Sequence, residues 1–229
     1  MSSVWKLDQT NAVLDDGRLR ARIDLLQPAL GLGELCIDGR SPTAMNLLGI
    51  EIADLAPSDL SAAECYARVD DLVATYRQTE ARPFRLQVYW RRLAFTDAEL
   101  RRNVVGFELQ VSINTSLLDT RPSVTAMSRL SGRPAEYHCA DTGDVLIRPD
   151  GAAWSSYFAA HPSDDCTTTA AGAAEGVETI RHSLFGLFLE KGVIVRARIR
   201  AAFVPREGDE QWARAVYDDF LNAPLPLTT

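Results

Sequence analysis

Four segments of this chain alternate polar and apolar residues with a period of two, and no other feature limits its fold so tightly. In Arg18–Asp24, Leu19, Ala21 and Ile23 fall on one face and Arg18, Arg20, Arg22 and Asp24 on the other. Phe84, Leu86, Val88 and Trp90 oppose Arg85, Gln87, Tyr89 and Arg91. Phe107, Leu109, Val111 and Ile113 oppose Glu108, Gln110, Ser112 and Asn114. Val193, Val195, Ala197 and Ile199 oppose Ile194, Arg196, Arg198 and Arg200. Successive side chains of a strand point to opposite faces, so this pattern predicts half-buried antiparallel strands.

Turn chemistry supports the same class. Asp16-Gly17 lies between two strand-like runs and suits a type I′ turn, in which both central residues need positive φ. Asp38-Gly39 and Asp150-Gly151 repeat the signal. Lys191-Gly192 separates Leu184–Glu190 from Val193–Val204 and predicts one long hairpin. The run Leu184–Leu189 is apolar on both faces and predicts a central strand between two packed layers. Helical signal is sparse. Asp209–Leu221 carries Trp212, Val216 and Phe220 at a spacing of four, with Asp209 as N-cap and Pro224 and Pro226 beyond the end. Ser61 and Glu64 form a capping-box pattern within Ser58–Ala67, which predicts one short helical turn. Thr167–Gly176, rich in Thr, Ala and Gly, predicts a surface loop. No repeat, long linker or composition break divides the chain. The expectation is therefore one all-β domain over residues 1–229, an antiparallel β-sandwich with a short C-terminal helix at about 209–221.

Composition excludes several functions. Lys and Arg total 24 against 31 Asp and Glu, a net charge of −7, so the chain has no global field for nucleic acid or an anionic membrane. No apolar run reaches the roughly 18 residues that would span a bilayer, and the N-terminus lacks a signal-peptide pattern. A soluble cytoplasmic protein is expected. Cys36, Cys65, Cys139 and Cys166 are widely spaced, which predicts reduced thiols and no zinc site. No glycine-rich phosphate loop, HExxH or GxSxG motif is present, so neither a cofactor nor a metal is expected.

Chemistry must then come from the non-apolar strand faces. If these strands share a sheet, Gln87, Tyr89, Arg91, Glu108, Gln110, Asn114, Arg196, Arg198 and Arg200 line one surface. Arginine offers a fixed fork of N–H donors, while Glu, Gln and Asn supply acceptors. Such a set can hold vicinal hydroxyls or a carboxylate, with Tyr89 as an apolar platform. The alternative is a solvated face of cross-strand Arg–Glu pairs worth about 0.2–1 kcal/mol each. The binding candidates are Tyr89, Arg91, Gln110, Asn114, Arg196 and Arg198. His161, with Asp164 and Asp165 close by, and His182 are candidate proton-transfer groups, paired with Glu108. His182 shares its strand face with Ile180 and Leu184, which also fits a semi-buried structural histidine. His138 reads as structural and Glu190 as a turn charge, and no serine has the setting of a nucleophile.

The Asp-Gly hairpins of Ala12–Leu25 and Gly33–Ile37, the strand Phe107–Asn114 and the closing segment Phe188–Arg198 before a helix together resemble the galactose-mutarotase-like β-supersandwich. Ser156-Tyr157-Phe158 resembles the tail of that family's His-x-Tyr-Phe-Asn segment, with Ser155 and Ala159 where the family has His and Asn. The resemblance implies a large curved sheet that holds a sugar in its concave face. It also implies a histidine that protonates the ring oxygen and a glutamate that removes the anomeric hydroxyl proton. Three functions follow as expectations: a carbohydrate-active enzyme of the aldose-epimerase type, a non-catalytic module binding a sugar or sugar acid through Arg91, Arg196 and Arg198, or a structural, partner-binding sandwich.

Overall fold

The computed structural model describes residues 3–42, 44–53, 55, 60, 62–131, 134–139, 143–172, 176–186 and 188–224, with the backbone alone for 134–139. The strands in chain order begin with β1 (Trp5–Asp8), β2 (Asn11–Asp15), β3 (Leu19–Asp24), β4 (Gly33–Ile37), β5 (Ala44–Ile52) and β6 (Ala62–Arg68). They continue with β7 (Asp71–Tyr76), β8 (Arg85–Arg92), β9 (Val105–Asn114), β10 (Asp119–Thr120), β11 (Val124–Ser131) and β12 (Pro134–Cys139). The last are β13 (Val145–Pro149), β14 (Trp154–Ala160), β15 (Cys166–Gly172), β16 (Val177–Leu184), β17 (Leu189–Glu190) and β18 (Ile194–Pro205). Among the described residues two α-helices accompany them, α1 (Ala98–Asn103) and α2 (Asp209–Asn222), with a 3-10 turn at Pro28–Leu30.

The fold is an antiparallel β-sandwich. One layer is an eight-stranded sheet in the order β12-β13-β14-β18-β9-β8-β7-β6. The facing layer consists of the β1-β2-β3-β4 meander and the sheet β15-β16-β11-β5, linked through an antiparallel bridge between Leu32 and Leu47. The expected alternation produces the core between them. Leu86, Val88 and Trp90, Phe107, Leu109 and Val111, and Ala197, Ile199 and Ala201 are buried in one continuous cluster with Leu14, Leu19, Ile23, Ile50, Ala126 and Ile180. Each large side chain so buried stabilises the fold by roughly 1.5–3 kcal/mol. A polar tie also joins the layers: Trp90 Nε1 donates to the Leu48 carbonyl at 3.0 Å. Leu48 has φ +55, and its N–H donates to Ser128 Oγ at 3.0 Å, so this local distortion aims its carbonyl at the indole. Gly49 allows the neighbouring chain to approach, since a Cβ there would stand 2.3 Å from the Ala29 carbonyl oxygen.

Several local expectations give way to long-range pairing. Gly192 does turn, with φ +80, but the chain before it does not pair with β18. Instead β17 pairs with β10, while β18 lies between β9 and β14. The predicted central strand at Leu184–Leu189 is the crossing from one layer to the other. Phe185, at φ +61, and Leu189 are buried at its two ends, and Phe188 lies exposed under the Arg121 guanidinium at 4.2 Å. Its apolar character comes from plugging the sandwich edge. Cys166–Gly172 is the edge strand β15, since β-branched threonines fit a pleated edge; 173–175 lie outside the described residues. Ala62–Arg68 is also an edge strand, and Ser58 and Ser61 of the expected helical turn lie outside the described residues. Of the three Asp-Gly turns, Asp38-Gly39 has positive φ at both positions; Asp16-Gly17 and Asp150-Gly151 have it at glycine alone.

Helix α1 carries no apolar period in the sequence, yet Asp97 caps it by accepting from Glu99 N and Leu100 N. Helix α2 spans the predicted segment with a shifted cap. Gly208, at φ +69, is the N-cap, and Asp209 enters the helix with its carboxylate turned to the sheet. Cys36, Cys65 and Cys166 are free thiols, and the Cys139 and His138 side chains lie outside the described residues. No described helix is long and apolar enough to cross a membrane.

Candidate functional site

The second face of the eight-stranded sheet is polar over most of its area, and α2 covers one half of it. Leu146, Tyr157, Ala159, Ala202 and Val204 form an apolar patch there, on which Ala213, Val216, Tyr217 and Phe220 of α2 pack. A buried clamp fastens the helix. Asp209 accepts from Arg148 Nε and Nη2, both at 2.9 Å, from Ser155 Oγ at 2.6 Å and from Arg206 Nη1 at 3.1 Å. Burial alone would raise the Asp209 pKa, but the hydrogen bonds from Arg148 and Ser155 prevail and pull it down to about 2. Ser155, at the position where the resembled segment has histidine, is thus sealed beneath α2 and bonded to it. Tyr157 of the same segment donates to Asp144 Oδ2 at 2.7 Å under the helix.

The other half is organised as rows of side chains across paired strands. In the first row, Asp71, Arg91, Glu108 and Arg200 are consecutive partners. Arg91 donates to Asp71 in a fork at 2.6 and 3.1 Å. Arg200 donates to Glu108 Oε2 at 2.9 Å and to Asp219 Oδ2 of α2 at 2.7 Å. Every charge in this row has its counterpart, so it ties the helix to the sheet.

The second row runs Val73, Tyr89, Gln110, Arg198. Tyr89 OH donates to Gln87 Oε1 at 2.9 Å, and burial raises the phenol's pKa. Arg198 donates to Asp164 Oδ2 through its backbone N–H at 2.8 Å and through Nε at 3.3 Å. His161 lies beyond it, its N–H bound to the Arg198 carbonyl and its ring edge-on to Phe220 at 5.1 Å. His161 Nδ1 accepts from the Ser163 N–H at 3.3 Å, with Ser163 Oγ at 2.8 Å. Burial first, then the Arg198 charge, lower the pKa of His161 from its ordinary value. Gln110, in the middle of the row, is only 2% exposed, and among the described residues neither its amide nitrogen nor its oxygen has a hydrogen-bond partner.

The third row is Thr75, Gln87, Ser112, Arg196. Gln87 Nε2 donates to Thr75 Oγ1 at 3.1 Å. Among the described residues the buried Ser112 hydroxyl has no partner, and Arg196 beside it makes no ion pair. Arg85, Asn114 and Ile194 make the fourth row. Two depressions adjoin these last rows. One, of about 620 Å³, is lined by Glu64, Thr75, Arg77, Arg85, Asn114 and Ser116 among others. The other, of about 500 Å³, is lined by His161, Asp164, Arg196, Arg198 and Leu221 among others.

The structure therefore brings Tyr89, Arg91, Glu108, Gln110, Asn114, Arg196 and Arg198 onto one face, with His161 at its margin. Arg91, Glu108 and Arg198 are already engaged in ion pairs. His182 is not with them. It sits on β16 in the opposite layer, wholly buried, its Nδ1 2.9 Å from Thr168 Oγ1 and its Nε2 unpartnered. Burial pushes its pKa down to about 4. Its neighbours Ile180 and Leu184 on that strand face had signalled a core position. Ser112 and Arg85 were absent from the expected binding set, although the same alternation places them on the polar face. Among the described residues no cluster of His, Cys, Asp and Glu could hold a metal ion.

No family model matches the chain, and no curated protein matches it. A solved structure described as "Putative kojibiose phosphorylase from human microbiome" is similar over 97% of this chain with a TM-score of 0.52 and 8% identity. The similar region is 29% of that protein's length, so the chain spans less than a third of it. At that identity the likeness is one of fold, the antiparallel β-sandwich.

Proposed function

We propose that the open half of the polar face binds a carbohydrate. The observation that carries this reading is the pair Gln110 and Ser112, whose buried amide and hydroxyl have no partners at the middle of the sheet. A buried polar group left without a hydrogen bond costs about 1–3 kcal/mol, a cost that a hydroxyl of a bound ligand would offset. The groups around them suit hydroxyls: an amide with two donors and an acceptor, a hydroxyl of either sense, and Asn114; Tyr89, only 3% exposed, does not present the open apolar platform expected of it. The fold likeness to a protein named as a kojibiose phosphorylase agrees with a sugar as ligand.

Binding ranks ahead of epimerisation. Proton removal from an anomeric hydroxyl needs an available carboxylate, and Glu108 is buried against Arg200. The family's histidine position is Ser155, under α2. An epimerase of the galactose-mutarotase type is the second reading. The position of His161 favours it, because it lines a depression beside Arg198. In that case the chain accelerates the optical-rotation decay of α-glucose or α-galactose and His161→Ala abolishes the acceleration; rates equal to buffer dismiss it.

The binding reading is tested by titrating the protein with a panel of mono- and oligosaccharides and repeating the measurement on Gln110→Met. Methionine keeps the volume and removes the unsatisfied amide. The variant should bind at least tenfold more weakly while its melting temperature stays level or rises. Absence of binding across the panel, or undiminished binding by the variant, overturns the reading.

A further inference from the structure

The arginines of the polar face divide into two groups. Arg68 and Arg91 are paired with Asp71, Arg198 with Asp164, and Arg200 with Glu108 and Asp219. Among the described residues Arg77, Arg85 and Arg196 make no ion pair, and all three stand at one end of the face, lining the two depressions beside the rows of Ser112 and Asn114. Glu64 is the one acid lining the larger depression, and it is also unpaired. In a chain with net charge −7, this end of the polar face therefore carries three arginine charges against the carboxylate of Glu64, since Asp164 is taken by Arg198.

Their placement is tied to the unsatisfied groups. Arg196 is the direct cross-strand neighbour of Ser112, and Arg85 that of Asn114. Arg196 and Arg85 are two strands and two register positions apart, about 12 Å between Cα atoms from ordinary strand spacing and rise. Each guanidinium presents a planar fork that matches a carboxylate with two parallel hydrogen bonds.

Resting on the carbohydrate-binding reading, we infer that the ligand is an acidic saccharide whose carboxylate groups pair with Arg196 and Arg85 while its hydroxyls bond to Gln110 and Ser112. The engaged forks of Arg91 and Arg198 take no part: their carboxylates are already supplied by Asp71 and Asp164. The half-buried Arg196 is held in place by its strand and fixes the first carboxylate; the exposed Arg85 takes the second.

The test is calorimetric titration with galacturonate and glucuronate oligosaccharides, their neutral galactose and glucose counterparts of equal length, and sulfated neutral oligosaccharides. Wild type, Arg196→Gln and Arg85→Gln are compared at low and high salt, with thermal melts to confirm folding. The expected result is at least tenfold tighter binding of a uronate than of its neutral counterpart, weakened by salt. Arg196→Gln loses that advantage and keeps whatever neutral binding exists. Neutral sugars bound as tightly as uronates overturn the inference and leave the carbohydrate reading standing, as does Arg196-dependent binding confined to sulfated sugars. Binding of none of them defeats both.

Discussion

His182 couples the fold to pH in a way that can be measured. Its ring lies wholly inside the sandwich, and burial lowers its pKa from the ordinary 6.5 to about 4. In the unfolded chain the ring takes up a proton as the pH falls through 6.5, while in the folded chain it stays neutral until about 4. Between those values the unfolded state binds more protons, so stability falls as the pH is lowered. The gap of about 2.5 pH units, at about 1.36 kcal/mol each, amounts to about 3 kcal/mol. His182→Gln removes the titration and keeps a side chain that can bond to Thr168. Urea unfolding of both proteins at several pH values between 7 and 4.5 gives the difference in stability at each. The variant is less stable at neutral pH because its packing is imperfect. Its deficit should shrink by about 2.5 kcal/mol on going to pH 4.5, since the wild type alone loses the His182 contribution. A deficit that stays constant over this range refutes a neutral histidine buried in the core.

Asp209→Asn should loosen α2, because it takes from the buried Arg148 the carboxylate its fork donates to; removing one partner of a buried ion pair costs up to about 3–5 kcal/mol, and less here because Arg148 also donates to Glu210 Oε1 at 2.6 Å. The same carboxylate, with its pKa drawn down to about 2, contributes stability that is present above the unfolded value of 3.8 and lost as the pH falls through 2. Acid unfolding of the variant should therefore lack this component, and identical acid limbs for the two proteins contradict the clamp. Burial, with Asp164 and Asp165, pushes the Cys166 thiol up to about 12, so it should react with a disulfide reagent at pH 8 at least tenfold more slowly in the folded than in the unfolded chain. Equal rates in the two states contradict that burial.

The strands that were legible are those whose pattern is self-contained. Leu19, Ala21 and Ile23 of β3 and Leu86, Val88 and Trp90 of β8 alternate cleanly and face the core as expected. What was illegible depended on distant partners. Leu189–Glu190 pair with Asp119–Thr120, so nothing near Lys191-Gly192 could reveal that the turn ends a layer crossing. The edge strands β6 and β15 carry weak local signals that their neighbours β7 and β16 override. The candidate site followed the same division. Period two placed Tyr89, Glu108, Gln110 and Arg198 on one face, but the choice between engaged and free arginines rests on Asp71, Asp164 and Asp219, which come from other segments. The helix α2 was evident from Val216 and Phe220, whereas its seat over half of the polar face depends on Leu146, Tyr157 and Val204.

In the proposed complex the buried amide of Gln110 and hydroxyl of Ser112 bond to the hydroxyls of a sugar. Side-chain amide resonances of glutamine, followed by NMR during a saccharide titration, address this directly. The Gln110 NH₂ pair should shift at saturation, together with signals from Tyr89 and Arg196. A saturated complex in which the Gln110 resonances do not move contradicts it.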